Sequence, residues 1–408
     1  MIELLAPAGD LPRLKTALDY GADAVYLGGM SFGLRKGATN FTKEEMIEGV
    51  EYAHERGKKV YVTLNIIPHD EDLENLDAYI KFLSDAKVDG VIVSDPGIMM
   101  KVKELSDMEI HISTQGSVTN APTANFWYQM GARRIVLARE LSLEEIKSIR
   151  DNIPEDMVLE GFCHGAMCMS YSGRCLISSY MTGRDPNRGD CAHPCRYKYH
   201  LVEEKRPGEY FPIEEVDGGT YIMNSRDLKT IEFIDKLIEA GIYSLKIEGR
   251  IKSAYYVATI VRAYRKAIDQ YLKSPSDYKF DEKYNQEIEM TSHRPFTSGF
   301  YFGNPGAEGQ YNQSSSYISE AQYKGYVVEV KNSRLYVYLK NDINEGDELE
   351  IFGPDTTDKV VVKDLRDKDG RQIDRANVPK DTYSFVYEGQ AENNYFVRKV
   401  IEKWKDHL

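Results

Sequence analysis

A chain of 408 residues exceeds one ordinary domain, and its 42% hydrophobic and 29% charged residues describe a globular protein able to bury a sizeable core. The formal net charge of −13 argues against indiscriminate nucleic-acid binding through a basic surface. The opening MIELLAPAGD lacks a basic or apolar leader region, and no apolar run approaches the roughly 18–20 residues that span a bilayer. A cytoplasmic protein without membrane segments is therefore expected.

The first 160 residues repeat one pattern, a short apolar run followed by an amphipathic stretch. The runs are Ile2–Pro7, Ala24–Gly28, Lys59–Asn65, Gly90–Asp95, Glu109–Thr114, Arg134–Arg139 and Met157–Phe162. Helix-like stretches such as Lys43–Arg56, Asp72–Ala86 and Ser142–Asn152 lie between them. An eighth run, Tyr243–Glu248, arrives after a long insertion and a further helical stretch, Lys229–Ala240. Eight βα units are the number that closes a barrel, and no G-x-G-x-x-G turn supports an open dinucleotide-binding sheet instead. A long helix follows, with Val257, Val261, Tyr264, Ile268 and Tyr271 at helical spacing. Past a Gly/Ser/Tyr-rich connector, Tyr326–Val330, Leu335–Leu339, Glu348–Phe352, Lys359–Val362 and Ser384–Tyr387 read as short strands joined by turns such as Asn344-Glu345-Gly346-Asp347. The expected architecture is α/β: a TIM-like (β/α)8 barrel over 1–290 with an insertion at 163–220 after strand seven, a connector at 291–323, and a small all-β barrel at 324–408.

All five cysteines fall between positions 163 and 195, and the other 375 residues contain none. The last four, Cys168, Cys175, Cys191 and Cys195, form C-x6-C-x15-C-x3-C. Thiolates are soft ligands that suit an iron–sulfur cluster or zinc, and the tight C-x2-C knuckles of structural zinc are missing. Cys163 follows a predicted barrel strand and reads as a packed thiol. Loops at the carboxyl ends of barrel strands build the active site, so a metal centre after strand seven is placed to meet substrate. Asn65, His111, Gln115, Arg139, Glu160, Lys246, Glu248 and Arg250 stand at strand ends and point the same way. Arginines clamp carboxylates or phosphates, and Glu160 or His164 suits acid–base work. There is no H-E-x-x-H and no G-x-S-x-G, and Cys163 beside His164 is no catalytic pair, because neighbours on a strand face opposite ways. Two basic islands interrupt the acidic chain: five Lys/Arg against two Asp/Glu between Cys163 and His200, and seven against two between Ser244 and Lys273.

Glu160 to Ser178 matches E-x-F-x2-G-[SA]-[LIVM]-C-x4-G-x-C-x-[LIVM]-S position by position, and so resembles the signature of the collagenase-like peptidase family. Further resemblances are Ala6-Pro7-Ala8-Gly9, Met223-Asn224-Ser225-Arg226-Asp227-Leu228, Ser244-Leu245-Lys246-Ile247-Glu248-Gly249-Arg250 with Lys252-Ser253, His293-Arg294 and Gly299-Phe300. The resemblance covers essentially the whole chain and looks strongest to the branch concerned with tRNA uridine hydroxylation. It implies a tRNA-modifying enzyme that makes 5-hydroxyuridine at the wobble position, with prephenate as co-substrate and an iron–sulfur cluster, 4Fe-4S, on Cys168, Cys175, Cys191 and Cys195. Candidate catalytic residues are then Glu160, His164, Arg174, Glu248 and Arg250. Candidate substrate-binding residues are Asn65, His111, Gln115, Arg139, Arg196, Asn224, Arg226 and Lys246. Expected partners are tRNA and prephenate, with a homo- or hetero-oligomer including a family paralogue. Alternatives are a metal-dependent peptidase acting on collagen-like chains, hydroxylation of another RNA base or a quinone ring, and a zinc-stapled binding protein.

Overall fold

The computed structural model describes residues 2–30, 32–33, 40–168, 175, 177–188, 190–196, 225–305, 309 and 317–401. Much of the expected insertion and part of the connector lie outside them. Eight parallel strands close a barrel: β1 (Glu3–Pro7), β2 (Ala24–Leu27), β3 (Lys59–Leu64), β4 (Gly90–Val93), β5 (Glu109–Ile112), β6 (Arg134–Val136), β7 (Val158–Ala166) and, after the short β8 (Asp227–Lys229), β9 (Ser244–Ile247). Closure runs through β9, which pairs in parallel with β1 at Leu5↔Lys246 and with β7 at Glu160↔Ser244. Helices α1 (Leu11–Asp19), α2 (Lys43–His54), α3 (Leu76–Asp85), α4 (Pro96–Leu105), α5 (Ala121–Met130) and α6 (Leu143–Asp151) wrap the outside. Their starts are set locally: Asp10, Asp95 and Asn120 each cap a first turn, and Thr42 with Glu45 and Ser142 with Glu145 close capping boxes.

Side-chain alternation along the strands makes two cores. Leu4, Ala6, Val25, Leu27, Val60 and Val62 face the helices in one large cluster, while Leu5, Ala24, Tyr26, Tyr61 and Ile92 fill the barrel interior. Two expected helices are shorter than the pattern suggested. Asn75 adopts φ +65°, so α3 begins only at Leu76 after a 3-10 turn at Asp70–Leu73. The stretch Lys229–Ala240 contains the end of β8, a 3-10 turn at Ile231–Phe233 and only then α8 (Ile234–Glu239), because β8 pairs antiparallel with the extended end of β7. Helix α7 (Ile177–Thr182) belongs to the inserted loop. The long helix α9 (Ala254–Lys273) buries Val257, Val261, Tyr264, Ile268 and Tyr271, as its spacing predicts.

Beyond α10 (Lys283–Glu289) and the short β10 (Phe296–Thr297) comes an antiparallel β-domain. Its strands are β11 (Ala321–Lys331), β12 (Arg334–Leu339), β13 (Ile343–Asn344), β14 (Glu348–Phe352), β15 (Thr357–Val361), β16 (Arg375–Ala376), β17 (Thr382–Val386) and β18 (Phe396–Val400). Six form one sheet in the order β15-β14-β18-β11-β12-β17, and β13 pairs with β16. This domain packs on the barrel through aromatic rings: Phe352 and Phe396 join the barrel's outer core, and Tyr255 stacks on Tyr323 with centroids 4.8 Å apart. Two cations of the second basic island are engaged here and nearby. Arg262 donates to Pro354 O (3.1 Å) and Thr357 Oγ1 (2.7 Å), and Arg265 pairs with Asp23 (2.8 Å) and Asp269 (2.5 Å). Among the described residues no helix is long and apolar enough to cross a membrane.

Candidate active site

A cavity of about 320 Å³ opens where the carboxyl ends of the barrel strands meet the inserted loop. All four cysteines of the C-x6-C-x15-C-x3-C pattern line it. Cys175, Cys191 and Cys195 are partly buried and Cys168 is exposed, whereas Cys163 is fully buried and burial pushes its thiol up. Local polar contacts shape the loop. The Asn187 side chain donates to Cys175 O (3.0 Å) and accepts from Cys175 N (3.4 Å), while Asn187 O accepts from Ile67 N at the end of the β3 loop (3.1 Å). Ser178 Oγ accepts from Ala192 N (3.0 Å), and Cys191 Sγ accepts from His193 N (3.4 Å), with His193 held at φ +55° just before Pro194. Four soft thiols lining one cavity are a donor set for an iron–sulfur cluster or zinc. Among the described residues no three His, Cys, Asp or Glu side chains already converge in metal-holding geometry, so ligation requires the loop thiols to draw together.

The barrel side of the cavity is cationic. Arg139, Lys246 and Arg250 line it alongside Glu140 and Glu248. Arg139 donates to Ala166 O (3.0 Å), lies 3.8 Å from Glu248 and covers the Phe162 ring at 3.8 Å. Arg250 donates to Asn40 (2.8 Å), and its guanidinium crosses so close to Gly28 that a Cβ there would fall 2.4 Å from it. Lys246 reaches down to Glu160 (2.7 Å), which opens a buried ion network beneath the cavity. In it Arg134 bonds Glu3 (2.5 Å), Glu160 (2.9 Å) and Tyr61 OH (3.1 Å), and Ser244 Oγ donates to Glu3 (2.7 Å). Burial alone would raise the Glu160 carboxyl, but Lys246 and Arg134 outweigh it and hold it at about 2.

Asn65, Gln115, Arg139, Lys246, Glu248 and Arg250 thus meet the four cysteines around one cavity. Glu160, His111, His164 and Arg226 are not part of its lining. Glu160 stays in the ion network as a carboxylate, and His111 lies in the same deeper layer, 2.9 Å from Glu109 and 4.5 Å from the Tyr61 ring. His164 faces outward because a bulge interrupts β7 between Phe162 and His164, making Cys163 the extra residue. The Cys163 carbonyl accepts from Thr230 N, Thr230 Oγ1 and Tyr264 OH, and the His164 ring packs among Tyr256, Tyr264 and Phe296. Burial lowers its imidazole to about 3. As placed, Glu160 and His164 both lie outside the cavity lining, Glu160 beneath it on Lys246 and His164 on the outer side of the barrel wall. Arg226 donates its backbone N to Gly309 O (3.1 Å). Arg174 and Asn224 lie outside the described residues, as does the side chain of Arg196.

Residues not anticipated from sequence include Ser178 and Asn187 in the loop, and Glu3 and Arg134 in the network. The signal for the last two was available. Each is a charged residue inside an otherwise apolar barrel run, on the same alternation phase as an inward-facing neighbour (Leu5 or Val136).

The model of "Peptidase family U32" matches residues 9–311, and that of "Peptidase family U32 C-terminal domain" matches residues 319–398. The chain is 41% identical over 401 residues to "tRNA hydroxylation protein P1" of Bacillus subtilis (strain 168), covering 97% of this chain and 94% of that protein. It is 38% identical to "tRNA hydroxylation protein P" of Escherichia coli (strain K12), covering 94% and 92%. A protein of Porphyromonas gingivalis (strain ATCC BAA-308 / W83) named "Collagenase" is 34% identical, covering 88% of each chain. With three-quarters of its length in the family's main module and the rest largely in its C-terminal one, the chain belongs to peptidase family U32.

Proposed function

We propose that this U32 protein is a tRNA-modifying enzyme that hydroxylates the wobble uridine to 5-hydroxyuridine in a prephenate-dependent reaction. An iron–sulfur cluster, 4Fe-4S, would be held by Cys168, Cys175, Cys191 and Cys195. The observation that carries the reading is the meeting of four thiols and three cations in one barrel-mouth cavity. The names of the Bacillus subtilis and Escherichia coli relatives support tRNA as the substrate. When bound, the cluster supplies electron transfer at the cavity wall. The chain's own residues bind and orient. Arg139, Lys246 and Arg250 attract the two carboxylates of prephenate, a task for which forked guanidinium donors are suited. Glu248, close to Arg139, limits the net positive charge so that an anion is held without being trapped.

The test is genetic and chemical. tRNA from a deletion strain lacking any paralogue should lose 5-hydroxyuridine-derived nucleosides by mass spectrometry, and unchanged tRNA would rule the function out. Protein purified without air should be coloured and contain iron and sulfide. A second reading, a metal-dependent peptidase, is favoured by the relative named "Collagenase". It requires gelatin cleavage that disappears with chelator and with Cys168→Ala.

A further inference from the structure

Asn65, just past β3, and Gln115, in the 3-10 turn Thr114–Gly116 after β5, both line the cavity. Ser113 ties them side by side: Asn65 Nδ2 donates to its hydroxyl oxygen at 3.2 Å and Gln115 N at 3.4 Å. Asn65 Oδ1 and Gln115 Oε1 are both buried, and neither has a hydrogen-bond partner among the described residues. Gln115 is only 6% exposed, so bulk water does not serve it freely. A buried acceptor left unmade costs about 1–3 kcal/mol, so two on one cavity wall point to a ligand that brings donors.

The chemistry of that donor follows from what the cavity already offers. Carboxylates at neutral pH only accept, so the two carboxylates drawn in by Arg139, Lys246 and Arg250 do not satisfy the amide oxygens, and the acid's one hydroxyl can serve at most one of them. A primary amide presents an acceptor and a donor in one plane, the complement of an N–H set beside a carbonyl. Uracil carries this pattern on both sides of N3: carbonyl, N–H, carbonyl. The single uracil N–H can serve one orphan oxygen or be shared between the two, while the amide N–H groups meet the flanking carbonyls; cytosine presents an accepting nitrogen at that place and carries its donors on the neighbouring exocyclic amine instead. Phe300, partly exposed, lines the same cavity and gives a ring for a base turned out of its stack.

We infer that Asn65 and Gln115 form an amide clamp that reads the N3–H edge of a uracil base. The inference rests on the tRNA-uridine reading of this cavity and names the residues that select the base. The test uses full-length protein purified without air and an anticodon stem-loop RNA carrying uridine or N3-methyluridine at the wobble position. Prephenate binding is measured separately. Wild-type protein should bind the N3-methyl RNA at least about tenfold more weakly. In Gln115→Met that preference should fall below about threefold while prephenate affinity holds. Equal binding of the two RNAs by wild-type protein overturns the clamp, even if tRNA from the deletion strain lacks the modification. Unchanged tRNA from that strain instead strikes the function itself. If Gln115→Met weakens prephenate and leaves the RNA preference intact, the amides serve the acid and the clamp is again overturned. The N3-methyl comparison needs no variant, so poor folding of Gln115→Met does not shelter the proposal.

Discussion

Replacing Arg134 by Met tests whether the network under the cavity is a balanced set of charges. Glu3 and Glu160 carry two negative charges, and Arg134 and Lys246 carry two positive ones, all four residues being less than 10% exposed. Arg134→Met leaves one carboxylate uncompensated and removes hydrogen bonds to Glu3, Glu160, Tyr61 and Ser244. Breaking one side of a buried pair costs about 3–5 kcal/mol, which is the destabilisation expected in urea unfolding at pH 7. The double variant Arg134→Met/Glu3→Gln restores neutrality by leaving Lys246 with Glu160, and should recover at least about half of the loss. The pH dependence has a definite sign. A carboxyl held at about 2 rather than 4.5 stabilises the fold above pH 4.5, and that contribution is lost as the pH falls towards 2. In Arg134→Met a proton can neutralise the orphaned carboxylate, so the gap to wild type narrows in acid. A single variant within about 0.5 kcal/mol of wild type at pH 7, or a double variant as unstable as the sum of its parts, would refute the charge-balance reasoning.

Serine at Cys168, Cys175, Cys191 or Cys195 should strip iron and visible absorbance from protein kept from air, whereas Cys163→Ser keeps the iron and loses about 1–3 kcal/mol of stability. Stoichiometric zinc in colourless wild-type protein would sink the cluster. Arg139→Met should raise the KM for prephenate at least about tenfold with RNA binding little changed, and an unaltered KM removes Arg139 from the acid's site. Burial holds the neutral His164 imidazole at about 3, so its contribution to stability is intact above pH 6.5 and lost as the pH falls through 3. His164→Phe should flatten that part of the acid unfolding profile. Arg398 bridges Glu287 (3.0 Å) of the barrel side and Glu350 (2.8 Å) of the β-domain, so Arg398→Met should cost about 3 kcal/mol. A single calorimetric transition at unchanged temperature would count against that bridge.

What the sequence determined by itself is local in origin. Alternation and helical periodicity report each strand and helix from neighbouring residues alone, so all eight barrel strands were legible, as were the burial of the α9 stripe and most strands of the β-domain. The cysteine cluster was equally legible, because its spacing is a one-dimensional fact. The tertiary structure decided which of the strand-end polar residues share a cavity. Barrel closure sets Lys246 beside Phe162 and over Glu160 across a contact 86 residues apart, and no window of sequence contains that pairing. One bulged residue, Cys163, reverses the facing of His164 and takes it from the barrel interior into the outer core. Of the basic island from Ser244 to Lys273, Lys246 and Arg250 turn into the cavity, and Arg262 and Arg265 into ion pairs and the domain contact. Charge counted along a chain says how many cations there are. Only the packing of distant elements says whether each meets solvent, a carboxylate or a ligand.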